Sequence, residues 1–347
     1  MGLLSSPARI GAIALVAGVA AAVTALSAAC QAVVGSDGAY FDPAGLTTLA
    51  QFSDFDSLPG SLVLVGDELF FLQGTTLFAV ATSGDGTQTP VHTFTGTPTS
   101  LAYDGADLLY ACDSAAGLVA FSVSQRSDVA PPLAGHVSCF TAVASPDEVA
   151  YATQIDGDGG AQISLFLATT QGVTEPKTLP GDPADLSLGI DGELVFASVL
   201  QKLRALEGGD VCTLAQIGSP DTPKVTAAHL SDGGARLLAR GGNDRVRFVD
   251  ESQPCCEADA DQAACSGAPS SSTVIPLNGD FTVGGGFVYW SLGGAISRQS
   301  LDDFPGTAGV TSVTSTGSSA NAIPSLVVDD RYVYFVLGPR VLRAPLP

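Results

Sequence analysis

At 347 residues the chain has room for one large β domain or two average ones, and its 40 Gly and 21 Pro favour many short strands and turns over helical bundles. Hydrophobic residues at 46% supply an ample core and exclude a chain disordered throughout. The formal net charge of −21, from 14 basic against 35 acidic side chains, repels phosphate backbones and anionic headgroups, so no nucleic acid is expected as a partner.

Residues 1–30 read as an export signal and stand outside the fold. A short n-region, Met1 to Arg9, precedes an uncharged run from Ile10 to Ala29 built mainly of Ala, Val, Gly, Leu and Ile. The run ends in Leu26-Ser27-Ala28-Ala29-Cys30, and small residues before a cleavage point fit a signal peptidase. The cysteine placed after Ala28-Ala29 resembles the lipobox of bacterial lipoproteins, with the bulky aliphatic residue, Leu26, one place early. That resemblance implies lipidation of the Cys30 thiol, with Cys30 as mature N-terminus and the membrane reached through a lipid anchor only. Ordinary secretion is the other reading of the segment. As an uncleaved anchor, so Ala- and Gly-rich a run would be a weak span, although about 20 apolar residues reach across a bilayer. Residues 31–45 are small and polar and suit a flexible tether.

From residue 46 onward one module recurs: an apolar strand, an Asp/Gly turn, a second strand ending in an aromatic or large apolar residue, then a third and a more polar fourth strand. A solitary strand, Leu46 to Phe52, comes first. The turns and second strands end at Phe71, Tyr110, Tyr151, Phe196, Leu238, Trp290 and Phe335, spaced by 39, 41, 45, 42, 52 and 45 residues. Such spacings with four strands per unit predict an all-β, seven-bladed β-propeller of antiparallel blades. The last copy stops after its third strand, so the strand at 46–52 is expected to close the ring by joining it. The aromatic residues are expected to recur in phase and to fill the gaps between blades. Arg204, Arg247 and Arg298, at matching third-strand places, are expected to make inter-blade ion pairs. The 52-residue interval carries a Cys-rich loop insertion around 251–272.

Six cysteines follow Cys30, an even number in an oxidising compartment. Cys112 and Cys139 fall in consecutive repeats and are placed to bridge neighbours, while Cys212, Cys255, Cys256 and Cys265 are candidates for two further disulfides. No C-x-x-C pair and no adjacent His supports a metal site instead.

The repeats resemble bacterial exported propeller lipoproteins, most closely at Val328-Asp-Asp-Arg-Tyr-Val-Tyr-Phe335 leading to Leu342-Arg-Ala-Pro-Leu346. They lack the recurrent Trp-Asp pair of WD40 blades, the Ser-x-Asp-x-Gly box of sialidases and the tryptophan-docking repeats of quinoprotein dehydrogenases, and a Gly pair precedes an aromatic strand only once, at Gly285-Gly286, so kelch is not supported.

Catalytic signals are sparse. His92, His136 and His229 fall in three different repeats without clustered carboxylates, so each reads as a surface or loop residue. Asp302-Asp303 and Asp329-Asp330 are adjacent pairs, and neighbours along a strand point to opposite faces, so neither makes an acid/base couple. Asp156-Gly-Asp158-Gly-Gly160 places two carboxylates at alternate positions in a Gly-rich turn, as calcium loops begin, but a hairpin turn explains it too. No cofactor other than this calcium is expected. The expectation is a non-catalytic binding protein of the bacterial cell envelope, lipid-anchored or else periplasmic or secreted, offering a loop face to a protein, peptide or glycan. The alternatives are an envelope hydrolase or lyase with a dispersed channel site, and a structural subunit of a surface assembly.

Overall fold

The chain divides into Met1–Ala44 and Gly45–Pro347. A computed structural model describes residues 45–347 apart from 53–59, 85–86, 130–138, 158–159, 170–171, 174–175, 183–184, 192–193, 200–201, 208–209, 217–223, 242–244, 251–274, 277–278, 305–308 and 317–322. Cys30, most of the tether, His136, Asp158 and the insertion with Cys255, Cys256 and Cys265 therefore lie outside the described residues.

The recurring module folds as a recurring antiparallel sheet. After β1 (Thr47–Gln51) comes blade 1, of β2 (Gly60–Val65), β3 (Glu68–Gln73), β4 (Thr76–Ala81) and β5 (Gln88–Thr93). Blade 2 is β6 (Pro98–Tyr103), β7 (Leu108–Asp113), β8 (Gly117–Ser122) and β9 (Ser127–Val129). Blade 3 is β10 (Thr141–Ala144), β11 (Glu148–Gly157) and β12 (Gly160–Thr169), its fourth strand split into β13 (Gly172–Val173) and β14 (Lys177–Pro180), both paired with β12. Blade 4 is β15 (Ser187–Asp191), β16 (Leu194–Val199), β17 (Lys202–Glu207) and β18 (Asp210–Gln216). Blade 5 is β19 (Val225–His229), β20 (Ala235–Gly241), β21 (Arg245–Asp250) and β22 (Ile275–Pro276). Blade 6 is β23 (Phe281–Gly284), β24 (Phe287–Leu292), β25 (Ala295–Ser300) and β26 (Thr311–Ser315). Blade 7 is β27 (Leu326–Val328), β28 (Tyr332–Leu337) and β29 (Arg340–Pro345), completed by β1, which pairs antiparallel with β29.

The first strand of each blade is innermost. Each inner strand contacts the next, from β2 through β6, β10, β15, β19 and β23 to β27, and β27 contacts β2. The seven-bladed ring is closed, and the N-terminal strand closes it as expected. Outer strands are exposed edges, and several carry a proline that blunts them: Pro90 in β5, Pro180 in β14 and Pro276 in β22.

The core is divided among the gaps, each pair of consecutive blades enclosing its own apolar cluster. Second strands are buried on both sides, because alternate side chains enter opposite gaps: Phe70 faces blade 2 and Phe71 faces blade 7. Fully burying one such side chain contributes about 1.5–3 kcal/mol. The aromatic residues do fill the gaps, but they do not recur in phase. Phe71, Tyr151, Trp290 and Phe335 are the fourth residues of their strands and face the preceding blade, whereas Tyr110 and Phe196 are third and face the following one. With a side-chain period of two, one residue of slip in the preceding turn moves an aromatic ring to the other gap.

Candidate functional site

Inner strands all begin on one face of the ring and end on the other, which gives the channel two mouths. At the entry mouth, side-chain oxygens from one blade cap the inner-strand N–H groups of the next. Ser100 Oγ accepts from Ala142 N at 3.2 Å, Ser187 Oγ from Val225 N at 3.1 Å, and Ser325 Oγ from Leu62 N at 3.0 Å. Asp280 does the same with a carboxylate. Its Oδ2 accepts from Leu326 N at 3.0 Å, its Oδ1 from Phe281 N at 2.8 Å, and Lys224 Nζ donates to both oxygens at 2.7 and 2.9 Å. One buried carboxylate thereby joins blades 5, 6 and 7. Asp113, fully buried, accepts from Thr95 N and Gly96 N at 3.1 Å and from Ala115 N at 2.8 Å. Burial alone would raise its pKa, but these donors hold the carboxyl below its ordinary value.

At the exit mouth the turns after the inner strands are rich in carboxylates, and most are occupied. Asp104 Oδ1 accepts from the N–H groups of Ala106, Asp107 and Leu108 at 2.8–3.0 Å. Asp329 Oδ1 accepts from Arg331 N and Tyr332 N at 2.7 and 2.6 Å, and its Oδ2 from the Tyr334 hydroxyl at 2.8 Å. Burial first, and Asp329 second, push the Tyr334 hydroxyl well above its ordinary value. Asp107 accepts from the Ser122 hydroxyl at 2.6 Å and Ser124 N at 2.8 Å, and the Ser122 bond leads in holding its carboxyl low. Two inner-strand ends also meet through side chains, His229 Nε2 lying 3.2 Å from Asp191 Oδ1 with the imidazole 70% exposed.

Ring closure adds a cavity of about 470 Å³ on the exit face, between the first and last blades. Asp67 and the Ala81–Ser83 segment line it from blade 1, and Arg331, Tyr332 and Arg343 line it from blade 7. The Arg343 guanidinium lies 4.5 Å from the centroid of the Tyr332 ring and donates to the carbonyls of Thr82 and Ser83. Arg331 stands 5.8 Å from the same ring, with Nη2 4.0 Å from Asp67 Oδ1.

The remaining sequence expectations find these places. Cys112 on β7 and Cys139 before β10 are both buried, with Cα atoms 4.8 Å apart, and form a disulfide between blades 2 and 3. Cys212 on β18 is disulfide-bonded as well. His92 on β5 pairs with Asp128 on β9 through Nδ1 at 2.8 Å, far from either mouth, and packs edge-on against Phe94. Asp156 lies within β11, paired with Ala161 across a hairpin that closes at Gly157 and Gly160. Among the described residues no group of three or more His, Cys, Asp or Glu is placed to hold a metal ion.

Of the three arginines expected to make inter-blade ion pairs, Arg298 has a described contact with the next blade. Arg298 stacks over Phe287 at 4.5 Å and donates to the main-chain oxygen of Pro347, and Arg236 donates to the carbonyls of Leu301 and Phe304. Arg343 likewise reaches main-chain oxygens of the next blade, those of Thr82 and Ser83. Arg204 is half-buried, which lowers its pKa, and the Arg247 side chain lies outside the described residues. Sequence reasoning missed the Ser/Asp caps and the seam cavity. A Ser or Asp at or near the start of four inner strands, Ser100, Ser187, Asp280 and Ser325, was the available signal for the caps.

The fold and its two mouths define a seven-bladed β-propeller. No family model matches the chain, and no curated protein matches it. Among solved structures it is similar to virginiamycin B lyase from Staphylococcus aureus, with a TM-score of 0.59 at 12% identity over 87% of this chain and 99% of that one. A streptogramin B lyase gives 0.60 at 14% identity over 87% and 97% of the two chains, and YCF48 from Cyanidioschyzon merolae 0.51 at 12% over 88% and 99%. At such identities the likeness extends to the fold alone.

Proposed function

We propose that this chain is an exported binding protein that offers the exit face of its propeller to a protein, peptide or glycan and performs no chemistry of its own. The observation that carries the reading is the state of the acids. Asp104, Asp113, Asp280 and Asp329 each accept several main-chain N–H bonds. The lone pairs of a carboxylate so engaged are already taken by the fold, which leaves it badly placed to exchange a proton with a ligand. Propellers serve catalysis and binding alike, so fold likeness favours neither.

Placement outside the cytoplasm rests on the sequence of residues 1–30, and anchoring rests on Cys30 as a lipidation site. Replacing Cys30 with Ala should move the protein from the membrane to the soluble fraction. Unchanged membrane attachment would end the anchoring proposal. Calcium held by Asp156 and Asp158 is proposed on the same footing, from the sequence of the hairpin tip.

A second reading, an envelope lyase or hydrolase, is favoured by the pair of His229 and Asp191 at the exit mouth, where an exposed imidazole oriented by a carboxylate is equipped to move a proton. The lyase fold relatives include a histidine-to-alanine variant described as catalytically inactive, crystallised with quinupristin. One experiment separates the readings. The full chain is presented to peptide and glycan arrays, and bound material is analysed by mass spectrometry. Ligand returned unaltered supports a binding protein. Ligand returned cleaved by the parent but intact from His229→Ala supports an enzyme, and no saturable binding at all sinks both.

A further inference from the structure

We propose that the seam cavity between the first and last blades binds a small zwitterion, an α-amino acid, with its carboxylate on Arg331 and its ammonium on Asp67. The proposal rests on the reading of the chain as a binding protein and assigns a ligand class to one place on the same face.

Charge supply makes the cavity unusual. The chain has only 14 basic residues against 35 acidic ones, yet two arginines converge here. They do different work. Arg343 is committed: its two terminal nitrogens donate to the carbonyls of Thr82 and Ser83, and its flat face lies on Tyr332. It is the wall of the cavity and fixes the ring that Arg331 rests beside.

Arg331 and Asp67 are the free hands. Their side chains are 69% and 93% exposed and face each other with 4.0 Å between Nη2 and Oδ1, too far for a hydrogen bond. A guanidinium and a carboxylate left apart at that separation match a ligand whose carboxylate and ammonium are carried on adjacent carbon and nitrogen substituents of one atom. A planar guanidinium takes the carboxylate through two parallel hydrogen bonds.

The field of the whole chain selects against the simpler ligands. A plain anion is screened from a molecule of net charge −21 at long range, but it is repelled once within about 8 Å, the screening length at physiological salt. A plain cation meets two guanidinium groups at the cavity itself. A zwitterion carries no net charge to be repelled and finds a partner for each end. The volume of about 470 Å³ falls within the roughly 300–1,000 Å³ of small-molecule sites.

The test is titration calorimetry on the full chain with the neutral L-amino acids, and with acetate, methylammonium and inorganic phosphate as partial ligands. At least one amino acid should bind saturably, and Arg331→Met and Asp67→Asn should each weaken it about tenfold or more. Both residues are exposed, so each variant should melt like the parent, which removes misfolding as an explanation. Acetate, methylammonium and phosphate should each bind far more weakly than that amino acid. Equal binding of acetate or phosphate, indifference to either substitution, or no amino-acid binding overturns the assignment. A peptide or glycan ligand whose binding survives Arg331→Met would leave the binding-protein reading standing while this assignment falls.

Discussion

Asp280→Ala should loosen three blades at once. The substitution removes the acceptor for the buried Leu326 N–H of blade 7, the acceptor for Phe281 N, and the ion-pair partner of Lys224 in blade 5. Stranding one buried N–H costs about 1–3 kcal/mol. Lys224 is about a third exposed and returns to water, so its share is held to under ~1 kcal/mol. With two N–H groups stranded at the low end of that range, the total is at least about 3 kcal/mol. At about 2 °C per kcal/mol for a domain of this size, Tm should fall by at least about 6 °C. Asp280→Asn keeps one carbonyl oxygen and should lose roughly half as much. Differential scanning fluorimetry on parent and both variants reads the effect directly. A fall under about 2 °C for Asp280→Ala would refute the role of this carboxylate as a three-blade joint.

Gly279→Ala should be worse still, because a Cβ there would overlap Ser291 Oγ and stand 2.5 Å from the Ile323 carbonyl, which belongs to the next blade. A variant that expresses and melts like the parent would contradict that packing. Leu49→Ala in β1, fully buried in the gap between blades 7 and 1, should cost about 2–5 kcal/mol. Limited proteolysis should then cut blade 7 first, and unchanged resistance would count against closure by this strand. Asp113 gives a pH signature: its folded pKa is lowered, so its contribution is full above the unfolded value and is lost as pH falls through the folded one. Asp113→Asn should therefore be less stable at neutral pH and decline less steeply in acid, and parallel Tm curves for parent and variant would refute this.

Blade number, strand order and ring closure were legible because each depends on local pattern repeated along the chain. The runs ending at Phe71, Tyr110 and Tyr151 are strands whatever their neighbours are, and the solitary strand at 46–52 had one vacancy to fill. Phase was harder. Tyr151 and Phe196 look equivalent in a string of letters, but their places within β11 and β16 differ by one, and that puts them in gaps on opposite sides. The site was hardest, since its parts are remote in sequence. Ser325 meets Leu62 across 263 residues, and Arg343 meets Thr82 across 261. Asp67 and Arg331 share a cavity only because the ring closes. The contacts of Arg236 and Arg343 with the next blade were hidden for a related reason: main-chain oxygens at loop ends are acceptors that no residue type advertises.

The pairing of Thr47 with Arg343 also sets an order of events. A chain emerging N-terminal end first exposes β1 long before β29 exists to receive it. That strand waits with open edges, which is the interval of greatest aggregation risk. Its docking joins the most distant partners in the fold and should be among the slow steps. Once made, the seam resists the reverse path, because no blade can leave an intact ring without first breaking it, so the lifetime of the folded state is governed by a rate of opening. The seam cavity exists only in the closed state. Any molecule that occupies it therefore favours closed rings over open ones, by an amount set by its concentration relative to its dissociation constant.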